Sequence, residues 1–376
     1  MDKKINSGSL WGAAFAVASV WFGTHVGGGF ATGNQTVQYF VGFGWPAVFM
    51  PTLIILLLGW CYYNGSVMAK NHKVFRYDEF AAELYAPFSA AGKVFFDVAF
   101  FILVVVGAGI AIAGGGSLFE ELFGLNYYIG IIITGLIFFL LTIFGADIVR
   151  KASSIITILI LIFLIALLIP GLKGGSANLN HIVSTRYMTG SWGQVIWKGL
   201  LYAGFQSLVV ASIISTSQKL TNTKACAKFA FLGFVINAVM TALCAIMILG
   251  YMPEIGANKL PIFTIAQQQN NPFLLYSYSI VLYCAFISTG VGVVFGLVAR
   301  FENVGFKNMD INKRRALISF ISIFAATALS VAGLTKLVAV GYGWLGRICI
   351  FLLVIPLAII APIKNAKFKR EHPEIN

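Results

Sequence analysis

Three consecutive glycines, Gly27, Gly28 and Gly29, interrupt an apolar run from Leu10 to Phe40 that contains no Asp, Glu, Lys or Arg. A run of this length can cross a bilayer core of about 30 Å, which takes about 20 helical residues. Because glycine is the poorest helix former after proline, we expect the helix to open at the triplet. Backbone N–H and C=O groups released within a membrane must face protein, water or a ligand. The triplet therefore predicts a binding site at mid-depth in the first span.

Several polar side chains lie within this run, and His25 is the one whose ordinary pKa lies near neutrality. A pKa of about 6.5 would let it accept a proton, and its ring nitrogens could instead bind a solute. A neutral histidine that only hydrogen-bonds between helices is an equally good interpretation. The sequence leaves these roles of His25 open.

The composition places the whole chain in a membrane. Of its 376 residues, 59% are hydrophobic and 10% are charged, and the mean hydropathy is +0.87. A soluble domain carries about 25% charged residues, so we predict a single all-α transmembrane domain over residues 1–376. The net charge of +13 comes from basic residues in short loops between apolar runs, which argues against a nucleic-acid partner. The spans hold no nucleophile–base set and no metal-ligand cluster in the sequence, so an enzyme is not expected.

Ten apolar segments are long enough to be membrane spans. In order, they are Leu10–Phe40, Pro46–Met68, Val94–Phe119, Tyr127–Gly145, Ser153–Leu172, Trp192–Ser217, Phe229–Tyr251, Phe273–Val298, Ala316–Leu334 and Trp344–Ile363. Counted over alternate loops, 20 Lys and Arg residues fall on one side, 4 fall on the other, and two lie within spans. Because cytoplasmic loops carry the excess of basic residues, this bias predicts that both termini are cytoplasmic.

Span six repeats the irregularity of span one. Its centre combines a glycine with polar and aromatic residues, Tyr202-Ala203-Gly204-Phe205-Gln206-Ser207. Interrupted helices at matching positions are typical of transporters built from inverted repeats. We therefore predict five-span repeats over about residues 8–172 and 190–363, with midplane breaks in spans one and six and a short cytoplasmic tail over 364–376. The alternative is that both glycine clusters only let helices pack closely.

The first span also carries a family resemblance. The run Gly27-Gly28-Gly29-Phe30-Ala31-Thr32-Gly33, with Gln38-Tyr39-Phe40 after it, resembles a motif of the YkvI family of bacterial membrane proteins. That family falls in the amino acid–polyamine–organocation superfamily, which has the fold of the bacterial leucine transporter (LeuT). The family pattern carries an acidic residue where this chain has Gln35. The resemblance implies a multi-pass, lipid-embedded protein of the bacterial cytoplasmic membrane with the LeuT fold.

The LeuT fold further implies a place for one sodium ion. In that fold, two carbonyl oxygens of span one, three residues apart, and a carbonyl and two hydroxyls of span eight hold the ion. In this chain Gly23 and Val26 stand at the first positions, and Ala285, Ser288 and Thr289 match the second set. Positions i, i+3 and i+4 share one helix face, so the three residues of span eight can converge. The alternative is that the two hydroxyls bond back to their own helix.

The substrate is expected between the breaks of spans one and six. The N–H groups of Gly28 to Ala31 would favour a carboxylate, and the carbonyls of Tyr202 and Ala203 would favour an ammonium group. Because this region contains no Asp, Glu, Lys or Arg, a small neutral or zwitterionic solute fits best. The predicted substrate-binding residues are Thr24, His25, Gly27, Gly28, Gly29, Phe30, Tyr202, Ala203, Phe205 and Gln206, with Ser207 nearby.

These features predict a secondary active transporter that couples sodium, without an organic cofactor, to symport of an amino acid or an amino-acid-like compound. The first alternative is a proton-coupled transporter or exchanger of a small amine or nucleobase-like solute, in which His25 titrates. The second is a sensor that keeps the fold without transport. After span seven, the segment Leu260–Gln267 resembles the short re-entrant lid of the LeuT fold.

Overall fold

A computed structural model describes residues 7–144, 146–301 and 309–373 of the chain. Gly145, which is the predicted end of span four, and residues 374–376 of the predicted tail lie outside these residues. Within them the chain is helical and contains no β-strand, only an isolated bridge between Gly44 and Met188. The all-α architecture predicted from the sequence is confirmed.

Helices occur at all ten predicted spans. They are Ser7–His25, Gly28–Ala31 and Asn34–Tyr39 (span one), Met50–His72 (two), Ser89–Phe123 (three), Tyr127–Phe144 (four), Ala146–Gly174 (five), Trp192–Gln206, Ser207–Val209, Val210–Thr216 and Ser217–Lys219 (six), Thr223–Leu249 (seven), Pro272–Phe301 (eight), Ile311–Ser330 (nine), and Leu334–Lys336, Leu337–Gly341, Tyr342–Cys349, Ile350–Val354, Pro356–Ile360 and Ala361–Glu371 (ten). Shorter helices between the spans are Val41–Phe43, Trp45–Val48, Tyr77–Tyr85, Ser176–Ser184 and Pro261–Gln268.

Eight of the described segments are long and apolar enough to cross a membrane. The other two predicted spans are span one, which is divided by a break, and span nine, whose helix begins with the basic residues Lys313, Arg314 and Arg315. Large apolar side chains such as Phe144 and Ile169 are 80% and 75% exposed along the long helices. In water such exposure would be unfavourable, so these faces suit contact with lipid.

Span one lies at the centre of the molecule. Its first helix packs against span seven, and span eight packs against both span three and span five. The helix ends at His25, and Gly27 adopts an extended conformation with φ −81° and ψ −178°. The half beyond the break is two short helices joined at Gly33, whose φ of +82° is strained for residues other than glycine. The predicted break in span one is therefore present, and the half beyond it is more irregular than the sequence indicated.

Span six differs from its prediction. Gln206 and Ser207 keep right-handed helical dihedrals, and the helix only tightens to a 3₁₀ turn over Ser207–Val209. The carbonyl groups that this turn releases find partners: Gly204 O accepts from Ser207 Oγ at 2.6 Å, and Gln206 O accepts from the Tyr62 hydroxyl at 2.7 Å. Because these bonds satisfy the backbone, the segment does not unwind.

Gly204 instead serves close packing between helices, which is the alternative that the sequence left open. A Cβ atom at Gly204 would overlap the carbonyl oxygen of Gly346 in span ten, and one at Gly346 would overlap the carbonyl oxygen of Leu201. The backbones of spans six and ten are thus in direct contact where the two helices cross. Small residues at such crossings are common in membrane helices.

Candidate functional site

The break in span one releases carbonyl groups at the end of the first helix, among them those of Gly23 and Val26. The Val26 N–H still donates to Phe22 O at 2.9 Å, but the Phe30 N–H turns back to Gly27 O at 3.0 Å and leaves Val26 O without its helical donor. Among the described residues, the Gly27 N–H makes no hydrogen bond to Gly23 O, because Gly27 lies beyond the end of the helix. Both carbonyl oxygens are thereby available to a ligand.

A small cavity of about 20 Å³ lies where spans one, five and eight meet. One water-sized species needs about 10–15 Å³, so the cavity has room for a single small ion. The residues that line it are Gly23, Val26, Gly27, Ile156, Thr157, Ile160, Ala285, Ser288 and Thr289. The five residues predicted for a cation are all in this set, and none of the lining residues carries a charge.

A hydrogen bond connects a residue that lines the cavity to the break in span one. The Gly28 N–H donates to Thr289 Oγ1 at 3.1 Å, so the hydroxyl of span eight holds the first peptide group beyond the opening. A side chain at Gly27 would approach Thr289 Oγ1 to 3.1 Å, so glycine keeps this contact open. Thr157 of span five is a lining residue that the sequence analysis missed. A single hydroxyl within the otherwise apolar run of residues 155–169 was the signal that could have indicated it.

His25 connects three spans beside the break. Its side chain is 3% exposed, with Nδ1 at 2.6 Å from Asn237 Oδ1 and Nε2 at 2.7 Å from the Tyr202 hydroxyl. Asn237 Nδ2 donates to Gly233 O at 2.7 Å, so its Oδ1 faces the ring and Nδ1 carries the proton. Nε2 then accepts from Tyr202. The neutral imidazole satisfies both bonds without a charge, which is the structural role that the sequence left open.

Aromatic side chains surround this histidine. The His25 ring lies 5.5 Å from the Phe30 ring and 5.9 Å from that of Tyr202, and Tyr202 lies 5.0 Å from Phe205. Phe205 stacks on Tyr342 of span ten at 4.4 Å. Phe30, Tyr202 and Phe205, the three aromatic residues among the predicted substrate contacts, are therefore brought together, and Tyr342 of span ten extends this aromatic group.

Other predicted substrate contacts are not available in the predicted form. Thr24 is exposed and donates to Val20 O of its own helix at 2.7 Å, so it points away from the cluster. The Ala203 carbonyl accepts from the Ser207 N–H within span six, so it is not free for an ammonium group. Gln206 is buried and its backbone carbonyl accepts from the Tyr62 hydroxyl, whereas the contact predicted for its side chain stays a prediction.

Most of the N–H groups just beyond the break already donate hydrogen bonds within the protein. Gly28 N–H donates to Thr289, and those of Phe30 and Ala31 both donate to Gly27 O at 3.0 Å. The Gly29 N–H has no acceptor among the described residues. The predicted carboxylate cradle of four N–H groups is thus reduced to one, because the first turn closes on itself.

Phe286 of span eight was not predicted, although it lies at the centre of this region. Its buried ring fills the space that side chains would need at Gly28 of span one and at Gly114 of span three. The glycines at these positions therefore let three spans meet around one phenyl ring. No local sequence signal indicates this contact, since its members are far apart in the chain.

The side of the region that is predicted to face outward is covered. The helix Pro261–Gln268 stands where the lid was predicted, and its Ile262 N–H donates to Thr32 O at 3.1 Å. Asn34 Nδ2 donates to Lys259 O at 3.1 Å and to Thr335 Oγ1 at 3.0 Å. Lys259 Nζ lies 2.5 Å from Glu120 Oε2 near the C-terminal end of span three. Spans one and three are thus joined through the loop before the lid.

Comparison with solved structures gives the fold. The chain is similar to MhsT solved in complex with L-phenylalanine, at 16% identity and a TM-score of 0.61 over 98% of this chain and 99% of that one. It is also similar to Mhp1 in its inward-facing conformation (14%, TM-score 0.55, 96% and 91% covered) and to a manganese transporter of Eremococcus coleocola (14%, 0.54, 100% and 90%). The predicted LeuT fold is confirmed.

Comparison with curated sequences gives one relative. A stretch of 126 residues is 33% identical to the uncharacterized membrane protein YkvI of Bacillus subtilis (strain 168), and it covers 33% of this chain and 35% of that protein. No family model matches the chain. The resemblance to YkvI therefore extends over about a third of each protein, and membership in that family stays a prediction.

Proposed function

We propose that this protein is a secondary active transporter of the bacterial cytoplasmic membrane that couples one sodium ion to symport of a small neutral or zwitterionic solute. The observation that carries the proposal is the cavity of about 20 Å³ at the break of span one. Carbonyl oxygens of Gly23, Val26 and Ala285 and the hydroxyls of Ser288 and Thr289 would hold the ion. Neutral oxygens suit an alkali cation, because they replace its hydration shell.

The same residues suggest how ion and solute would be coupled. Thr289 contributes to the cavity and also accepts from the Gly28 N–H. An ion bound there would therefore fix the break against span eight. A solute that binds beside the break would find its site better ordered, which is positive coupling between the two ligands.

An amino acid or an amino-acid-like compound is the proposed solute. Support comes from the aromatic and uncharged surroundings of the break, which suit a small molecule without net charge. MhsT, which has the same fold, was solved with L-phenylalanine. The proton-coupled alternative needs His25 to titrate, whereas both of its ring nitrogens are bound in the neutral form.

Thermal unfolding of the purified protein tests this proposal. The probes are NaCl against choline chloride at equal ionic strength, each with and without a panel of the standard L-amino acids. We expect sodium to raise the unfolding temperature, and at least one amino acid to stabilise the protein more in sodium than in choline. Equal responses in both salts, together with loss of the amino-acid response in His25→Ala, would instead support proton coupling.

A further inference from the structure

Gln35 holds a buried amide group that the fold does not satisfy. The residue is 4% exposed, and its Oε1 has no hydrogen-bond partner. The amide lies against Gly29, where a Cβ atom would overlap Nε2. A buried amide oxygen without a partner destabilises a fold, so its presence at the break of span one calls for a ligand.

Ser117 of span three is a second group of this kind. It is fully buried, and its hydroxyl has no partner among the described residues. Several other buried serines of the spans bond back to their own helices, as Ser279 Oγ does to Leu275 O at 2.7 Å. The Ser117 hydroxyl is thus free in a position where serine ordinarily satisfies itself.

The two groups border the same region. The Phe286 ring contacts both Gly28 and Gly114. Gln35 reaches Gly29, the residue next to Gly28, and Ser117 stands one helical turn beyond Gly114. Span three runs outward under the predicted topology, so Ser117 lies on the outer side of the ring, as does Gln35 in the outer half of span one. Glu120, one turn further along span three, is engaged by Lys259.

We propose that Gln35 and Ser117 recognise the polar group of the transported solute, and that Phe286 limits the size of the group beside it. This inference rests on the proposed transport function. An amide and a hydroxyl each donate and accept without carrying a charge. They therefore fit a solute group that also donates and accepts and has no net charge, such as the paired ammonium and carboxylate of an amino acid or a carboxamide. A lone anion or cation would stay uncompensated there.

The first test is the stability of ligand-free variants. Gln35→Met and Ser117→Ala keep the volume of each site close to its original and remove the unsatisfied groups. We expect both variants to unfold at the wild-type temperature or above it, because an unpaired buried polar group is removed. Unfolding several degrees below the wild type would show that the groups are satisfied within the protein, and would overturn the proposal.

The second test is binding in the presence of sodium. The probes are the standard L-amino acids, their C-terminal amides and the corresponding decarboxylated amines, measured by thermal shift. For the probe that stabilises the wild type best, we expect at least a tenfold weaker apparent affinity in Gln35→Met and Ser117→Ala, and no change in the matched control Ser279→Ala. Phe286→Leu should extend the response to bulkier side chains.

The outcomes separate this inference from the proposed function. Wild-type affinity in Gln35→Met and Ser117→Ala would overturn the inference and leave sodium-coupled transport standing. A response to the amines alone would also overturn it, because a lone cation is excluded. If sodium stabilises the wild type and no probe does, the proposed solute-recognition site is contradicted, whereas the proposed cation site is supported. If neither sodium nor any probe stabilises it, both proposals fail.

Discussion

Thr289 is the residue at which the broken backbone and the cavity meet. Its Oγ1 accepts from the Gly28 N–H at 3.1 Å, and the same side chain lines the cavity beside Ser288. A cation at this place would bind an oxygen whose other contact fixes span one. In the proposed site the hydroxyl would therefore have a structural and a ligand role together.

Replacement of Thr289 should weaken sodium binding. In Thr289→Ala, the cation would lose one of its oxygens, and we expect the apparent affinity for sodium to fall about tenfold or more, which corresponds to at least about 1.4 kcal/mol. Thr289→Ser should keep most of the affinity. The measurement is a titration of the unfolding temperature with NaCl at constant ionic strength.

A matched control is Thr142→Ala in span four. Thr142 is buried, and its hydroxyl donates to Phe138 O of its own helix at 2.7 Å, away from the cavity. Its loss should leave the sodium titration unchanged. An equal loss of affinity in both variants would mean that the effect is general destabilisation and not loss of a ligand.

His25 should contribute to stability more than to coupling. His25→Ala would leave Asn237 Oδ1 and the Tyr202 hydroxyl without their buried partner, at a cost of about 1–3 kcal/mol for each unsatisfied group. We expect a lower unfolding temperature and a preserved stabilisation by sodium. A variant with wild-type stability that no longer transports would contradict this view and favour the titrating role.

Among the helices, spans one and six show which irregularities can be predicted from local sequence and which cannot. The glycine triplet of span one opens the helix because each of its residues has low helix propensity, and this was predictable. Glycine is needed at position 204 of span six for a different reason, because the Gly346 backbone packs against it. Gly346 lies 142 positions further along the chain, so no local sequence pattern indicates this contact. Phe286, Gln35 and Ser117 escaped prediction for the same reason, since their importance depends on neighbours from other spans.

The crossing of spans six and ten can be tested with one methyl group. Gly204→Ala would place a Cβ atom against Gly346 O, so spans six and ten must separate and the unfolding temperature should fall by several degrees, or the protein should fail to fold. Gly292→Ala in span eight is the control, because its Cβ would meet nothing within 4 Å. Equal stability of the two variants would show that the crossing tolerates separation.

For the whole molecule, the distribution of basic residues in the sequence predicts the orientation of the chain in the membrane. The structure adds that one side of the candidate site is closed. The predicted outer side is covered by the lid and by the contacts of Asn34, Lys259 and Glu120. The cavity, in contrast, lies beside the N-terminal half of span one, which is predicted to be the inner half. The ten helical positions were predictable because apolar length and flanking charge are local properties, whereas the closure depends on long-range contacts.

The orientation itself is testable with reporters. The bias of 20 basic residues against 4 predicts that the C-terminus faces the cytoplasm. A green fluorescent protein fused after Asn376 should therefore fluoresce, and alkaline phosphatase at the same place should be inactive. The opposite pair of results would reverse the topology and place the cavity towards the outside.

The most direct test is equilibrium binding of radioactive sodium to the purified protein. We expect one saturable site per chain, reduced to background in the double variant Ser288→Ala/Thr289→Ala and retained in Thr142→Ala. Absence of saturable binding in the wild type, or full binding in the double variant, would contradict the claim that the opening of span one and the hydroxyls of span eight form a sodium site.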